Sequence, residues 1–285
     1  MARTTIRRVS RKKPTKKAVF FQKLKPVVAV VVVLLVVFAV GFHYRNGLAY
    51  YLGFKSKFSN QSASEQKRIS DVRNYTLLSK YESNPAGIDV SEYQGTILWD
   101  SVHLVENEFP IQFVFVRATA GVDYVDKKFA ENWVATKKMG LIRGAYHYYR
   151  PDENSKLQAD LFIKNVALRK GDFPPVLDIE QMPKRQSMAE LKKGIRNWLE
   201  RVEQHYGVQP ILYSGERFYT DFLKEDFSEY TCWIANYNFF VENLKPHWQF
   251  WQFTEKGSVY GISGFVDVNI FNGTEDELVQ LTLGN

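Results

Sequence analysis

The chain has 285 residues, 45% of them hydrophobic and 15% aromatic, enough for one large domain with a substantial core plus appendages. Of its 38 Lys and Arg, ten fall in residues 1–26, which hold no acid; the rest of the chain sets 28 bases against 31 acids, which excludes a basic nucleic-acid binder as the main body. A single cysteine, Cys232, excludes an internal disulfide and a cysteine-based metal cluster.

Residues 1–25 read as a basic cytoplasmic tail. "PVVAVVVVLLVVFAVGF", residues 26–42, has no charged side chain and predicts a single N-terminal transmembrane helix. Lys23 and Lys25 can snorkel at one end, and His43, Tyr44 and Tyr50 can sit in the interface at the other. The positive charges before the segment keep the N-terminus inside, so the lipid bilayer is a partner and the bulk of the protein lies outside the cytoplasmic membrane. A cleaved signal peptide is the competing reading, and it exports the same domain. Residues 43–86 are polar and read as a stalk or linker, with helical periodicity around "RISDVRNYTLLSKY".

The texture changes at residue 87, where a domain of residues 87–285 begins. Apolar, β-rich runs fall at 86–90, 112–118, 141–149, 175–180, 209–214, 231–236, 248–253 and 265–271. Helical patterns fill the first five gaps, around 97–106, 126–140, 155–168, 187–206 and 215–224. In the clearest of them Ser187 and Glu190 form a capping box and Gly207 ends the helix. Strands alternating with helices imply a parallel sheet. Eight strands with helices in five gaps imply a barrel with five β/α units and a simpler last third, with its chemistry at the C-terminal strand ends.

The fourth run ends in "PPVLDIE". Side chains in a strand alternate with period two, so Asp178 and Glu180 share one face. Like charges held side by side are costly unless they are used. Asp89 lies near the end of the first strand and Asp267 in the last, so four carboxylates can converge on one mouth. Mg²⁺ or Ca²⁺ ligation by the acidic pair ranks below direct acid catalysis, because no His-rich or regularly spaced acidic loop supports it. No cofactor is called for.

"GIDVSEYQG", "VFVRATAGVDYVDKKFAENW", "RGAYHYYRP", "PPVLDIE", "ILYSG", "WIANY", "WQFT" and "VDVNIF", in this order, resemble the family 25 glycoside hydrolases, the Chalaropsis-type lysozymes. The resemblance spans roughly residues 87–275. It implies an irregular TIM-like (β/α)5(β)3 barrel that cleaves the β-1,4 bond between N-acetylmuramic acid and N-acetylglucosamine in peptidoglycan. It also implies that Asp89, Asp178, Glu180 and Asp267 are the family's acidic residues, with Glu180 as proton donor. The chain departs from the family pattern at Ala120, where many members carry an acid.

An ordinary Glu is ionised at neutral pH. Repulsion from Asp178 and burial would keep Glu180 protonated for donation to the leaving oxygen. The second role is open: Asp178, Asp89 or Asp267 can orient water, stabilise positive charge or attack the sugar, or the substrate's own acetamido group can attack. Tyr93, Gln94, Arg117, Tyr148, Tyr213, Trp233, Asn236, Trp251 and Gln252 fall near strand ends and are candidate sugar-binding groups. Arg117 reads equally as a carboxylate-binding group or as an ion-pair partner of one of the four acids. Two further functions compete with a muramidase: a non-catalytic cell-wall-binding barrel, and a glycosidase acting on a chitin-like polymer.

Overall fold

The computed structural model describes residues 28, 30–38 and 63–284. Residues 28 and 30–38 are helical, with exposed apolar side chains, and belong to a unit separate from the barrel. Among the described residues no helix is long and apolar enough to cross a membrane. The remaining positions of the expected 26–42 anchor, the 1–25 tail and the first part of the expected stalk lie outside the described residues.

In the run Phe113 to Val116, Phe113 and Phe115 face the inside of the sheet while Val114 and Val116 face the helices outside. The same alternation builds ten strands: β1 (Ala86–Val90), β2 (Leu104–Val105), β3 (Phe109–Ala120), β4 (Tyr124–Val125), β5 (Ile142–Tyr148), β6 (Val176–Asp178), β7 (Ile211–Gly215), β8 (Cys232–Ala235), β9 (Phe250–Gly257) and β10 (Val266–Phe271). Eight of them close a barrel in the order β1-β3-β5-β6-β7-β8-β9-β10 and back to β1, while β2 and β4 pair with the two ends of β3. The staves run parallel except β10, which is antiparallel to both β9 and β1.

Helices Phe129–Lys138, Ser155–Asn165 and Met188–Tyr206, and a helical run over 216–227 with a π turn at Tyr219–Leu223, cover the parallel staves. The Ser187–Glu190 capping box and the left-handed Gly207 cap stand where the sequence places them. The helix expected over 97–106 does not form. That segment holds a 3₁₀ turn, Trp99–Ser101, and β2. Its backbone finds partners in the β9–β10 connection instead: Leu98 N–H donates to Gly261 O at 2.8 Å and Glu106 N–H to Ser258 O at 2.8 Å. Trp99, Val102 and Val105 are still buried, so the segment covers the barrel as a helix would.

The barrel interior is plugged by aromatic rings. Phe115 stacks on Trp233 with centroids 4.3 Å apart, and Phe113, Phe173 and Phe250 pack around the pair. Two glycines leave room for these rings. A Cβ on Gly87 would stand 2.4 Å from the Phe113 ring, and one on Gly144 would stand 2.5 Å from Phe115.

The second part of the expected stalk is helical, as its periodicity indicates, but it is docked rather than solvated. Residues Ala63–Lys80 form an 18-residue helix in the same compact unit as the barrel. Leu77 and Leu78 are buried in the core, Arg73 Nη1 donates to Phe253 O at 2.5 Å, and Asn74 Nδ2 donates to Glu106 Oε1 at 2.9 Å and to Lys256 O at 3.1 Å. The docking face is largely polar, which is why it reads as a solvated linker.

Candidate active site

The four acids reach the mouth by three routes. In β1 the inward parity of Gly87 carries to Asp89. Because β10 runs the other way, Asp267 near its start pairs directly with Asp89. Asp178 ends β6, and the extended pairing continues one residue beyond it: Tyr149 N–H donates to Asp178 O at 2.8 Å and Ile179 N–H to Tyr213 O at 3.0 Å. Ser214 Oγ also donates to Ile179 O at 2.6 Å. This keeps Asp178 and Glu180 on the same side, with Ile179 buried on the other.

A cleft of about 260 Å³ opens here, and all four carboxylates line it. Of the nine candidate sugar-binding groups, Tyr93, Gln94, Arg117, Tyr148, Tyr213, Trp233 and Gln252 line it too. Trp251 does not. It neighbours Gln252 in β9 and therefore points to the opposite side, where it is fully buried against Trp248 and Phe253 and its Nε1 donates to Asn236 O at 3.1 Å. Asn236 also lies off the cleft, with its amide donating to Glu216 and its Oδ1 accepting from Asn238 N–H at 2.8 Å. Trp233 forms floor rather than platform, since it is 2% exposed and stacked on Phe115. Tyr93, 80% exposed, is the ring free to meet a sugar face.

Arg117 is an ion-pair residue, but its partners are not among the four acids. Its Nε meets Asp126 Oδ2 at 2.8 Å and its Nη2 meets Glu92 Oε1 at 3.5 Å. Its guanidinium lies 4.6 Å from the Tyr93 ring centroid, so the pair supports that ring from below. Ala120, where the family pattern has an acid, lines an adjoining hollow with Tyr148 and Arg150.

The sequence reading missed Ser91, Tyr146 and Tyr237 in the lining and Asn269 behind it. Strand parity with Tyr148 and Asp267 could have found Tyr146 and Asn269; Tyr237 sits on an irregular loop and carries no periodic signal. Asn269 Nδ2 and Gln252 Nε2 both donate to Asp89 Oδ2, at 2.8 and 2.7 Å. Asn269 is held in turn by Trp233 Nε1 at 2.7 Å, and Gln252 by the hydroxyls of Tyr213 and Tyr237.

Burial sets the protonation of the acids. It raises Asp89 to about 6, with the two amide donors opposing the rise. It raises Asp267 to about 9, helped by the charges of Asp89, Glu255 and Glu180. Burial raises Asp178 well above the carboxylate range, and the charge of Glu180 and a hydrogen bond to Glu180 add to this. Glu180 is an exposed residue at the rim, but the cleft walls partly desolvate its carboxyl and raise it, while the hydrogen bond with Asp178 pulls it down. Of the two expected causes, burial is the one that raises Glu180. Burial is the largest contribution at both Asp178 and Glu180, and the two carboxyls hold their proton as a coupled pair. The cleft thus offers a proton stored on a carboxyl pair, an anionic Asp89 and a neutral Asp267 at neutral pH.

Such an array suits hydrolysis of a glycosidic bond, and the comparisons agree with it. The Escherichia coli K12 protein YegX is 44% identical over 194 residues, covering 67% of this chain and 71% of its own. Lysozyme M1 of Streptomyces globisporus is 32% identical over 214 residues, covering 70% and 71%. The solved structure of a family 25 glycosyl hydrolase from Bacillus anthracis superposes with a TM-score of 0.63 at 30% identity, covering 71% of this chain and 95% of that one. The sequence profile of the glycosyl hydrolases family 25 matches residues 88–262, the stretch that supplies three of the four acids and most of the cleft wall, and the chain belongs to that family.

Proposed function

We propose that this glycoside hydrolase is a peptidoglycan muramidase, cleaving the β-1,4 bond between N-acetylmuramic acid and N-acetylglucosamine. The observation that carries the reading is the convergence of Asp89, Asp178, Glu180 and Asp267 on one cleft. The likeness to lysozyme M1 supports the choice of substrate. Glu180, at the exposed end of the pair, delivers the pair's proton to the leaving oxygen as the glycosidic C–O bond breaks; water then adds to the anomeric carbon and its released proton returns to the carboxyl pair. Asp89, ionised above about pH 6 and fixed by two amide donors, stabilises the positive charge that develops on the sugar. Tyr93 offers a stacking face at the entrance.

In the same proposal the apolar segment 26–42 anchors the chain in a bacterial cytoplasmic membrane, with the barrel outside. The lack of charge in that segment and the ten basic residues before it support this topology. Resistance of the full-length chain to alkaline extraction from membranes tests the anchor.

The activity test is digestion of purified peptidoglycan by the full-length chain, followed by identification of the new reducing ends. Muramic acid ends support the proposal. Glucosamine ends point to another bond, and retention on the wall without new ends points to a binding barrel.

A further inference from the structure

Tyr237 lines the cleft from the loop 236–248, and this loop is held by residues that precede the family segment. The loop is also pinned locally, where Glu216 accepts from Asn236 at its start and from Lys245 near its end. Its middle is held by the helix Ala63–Lys80 and the residue after it. Arg73 Nη2 donates to Asn238 O at 3.2 Å. Lys80 Nζ donates to Glu242 O and to Asn243 Oδ1, both at 2.8 Å. The Tyr81 hydroxyl donates to Glu242 O at 3.2 Å and accepts from Leu244 N–H at 2.9 Å. Five hydrogen bonds from three side chains therefore converge on positions 238–244. Arg73 also holds Phe253 O, one residue along β9 from Gln252.

The braced loop feeds into the acid array. The hydroxyls of Tyr237 and Tyr213 both donate to Gln252 Oε1, which leaves the amide's NH₂ end facing Asp89 at 2.7 Å. With only the Tyr213 hydroxyl in place the amide is held less firmly, and its bond to Asp89, which favours the ionised form, weakens. Docking of the helix itself does not need the loop contacts, because Leu77, Leu78 and Asn74 already fix it to the barrel. The bonds from Lys80 and the Tyr81 hydroxyl to the loop carbonyl are solvent-exposed, so each adds little to global stability.

We infer that Arg73, Lys80 and Tyr81 are positioning residues for the hydrolysis, bracing the 236–248 loop so that Tyr237 keeps Gln252 aimed at Asp89. The inference rests on the muramidase reading for its kinetic readout only. The groups that face Asp89 electrostatically are Asp178 and Glu180 from the β6 end, Asp267 from β10, and Tyr146, Tyr213 and Tyr237. None of them is altered in the test.

The test uses the full-length chain with Tyr81→Phe, Lys80→Met and the pair combined. Tyr81→Phe keeps the ring, which packs edge-on against Trp251, and removes only the hydroxyl. Tyr75→Phe is the control, because that hydroxyl bonds Glu108, away from the loop. Two quantities are read: kcat and KM on peptidoglycan across pH, and the Asp89 carboxyl titration by NMR without substrate. The combined variant is expected to lose roughly three- to tenfold in kcat with KM within about twofold. Its Asp89 midpoint and the acidic limb of activity should rise by roughly half a unit, and the control should match the wild type. An unshifted Asp89 titration overturns the inference, whether kcat is retained or falls in step with melting temperature. Should the wild type release no reducing ends, the muramidase reading fails while the titration still decides the brace.

Discussion

Asp89 and Asp267 stand opposite each other as paired residues across antiparallel β1 and β10, yet one carboxyl titrates near 6 and the other near 9. Amide donors from Gln252 and Asn269 favour the charge on Asp89. Asp267 bears the burial and the repulsion from Asp89 and Glu255. At neutral pH the pair is one anion beside one neutral acid, which avoids two adjacent buried charges. Replacement should therefore be asymmetric. Asp267→Asn, a close mimic of the protonated acid, should keep kcat/KM within about tenfold of the wild type, whereas Asp89→Asn should lose more than about 100-fold. Steady-state kinetics on peptidoglycan at pH 7 checks both; equal losses would contradict the assignment.

The raised carboxyls also set how stability depends on pH. A group whose pKa is higher in the folded state binds more protons there than in the unfolded chain, so its contribution is fully present below the unfolded value near 4 and is lost as pH rises through the folded value. For Asp89 that window closes near 6 and for Asp267 near 9. Melting temperature should fall as pH rises from about 5 to about 9. Asp267→Asn should flatten the upper part of that fall, and scanning calorimetry across pH measures both slopes.

In the proposed mechanism Asp178 shares the proton that Glu180 delivers. Asp178→Asn leaves an amide that donates to the Glu180 carboxylate and favours its ionised form. The alkaline limb of the kcat/KM profile should then move down by roughly one unit. A limb that stays in place would show that Glu180 holds its proton without help from its neighbour.

Two core substitutions test the packing. Leu77→Ala, in the helix that precedes the family segment, should cost about 2–4 kcal/mol in urea unfolding, because that side chain is 2% exposed within the barrel's core. Gly144→Ala should cost about 1–3 kcal/mol, since the added Cβ meets the Phe115 ring at 2.5 Å. A Leu77→Ala variant as stable as the wild type would mean that the helix docks without contributing to the fold.

The acids were legible in the sequence because period-two alternation ties Asp178 to Glu180 and the strand ends gather Asp89 and Asp267. The reversed direction of β10, which sets Asp267 against Asp89, leaves no trace in composition. The same parity rule sends Trp251 to the outside once Gln252 is assigned to the interior, so the two neighbours could not both have faced the cleft. The helical periodicity of residues 68–81 was legible, but the docking of the helix Ala63–Lys80 was hidden, because much of it is done by Arg73 and Asn74, polar side chains that resemble a solvated stalk until their partners in β9 are known. Arg117 was readable as an ion-pair residue, but its partners Asp126 and Glu92 reach it only through the turn after β4 and the 3₁₀ turn after β1.

The central claim is that Glu180 delivers the proton that breaks the glycan. Its most direct test measures cutting and wall binding together in wild type and Glu180→Gln. The variant should lose cutting by about 100-fold or more while sedimenting with peptidoglycan as the wild type does. Normal cutting by Glu180→Gln would contradict the account.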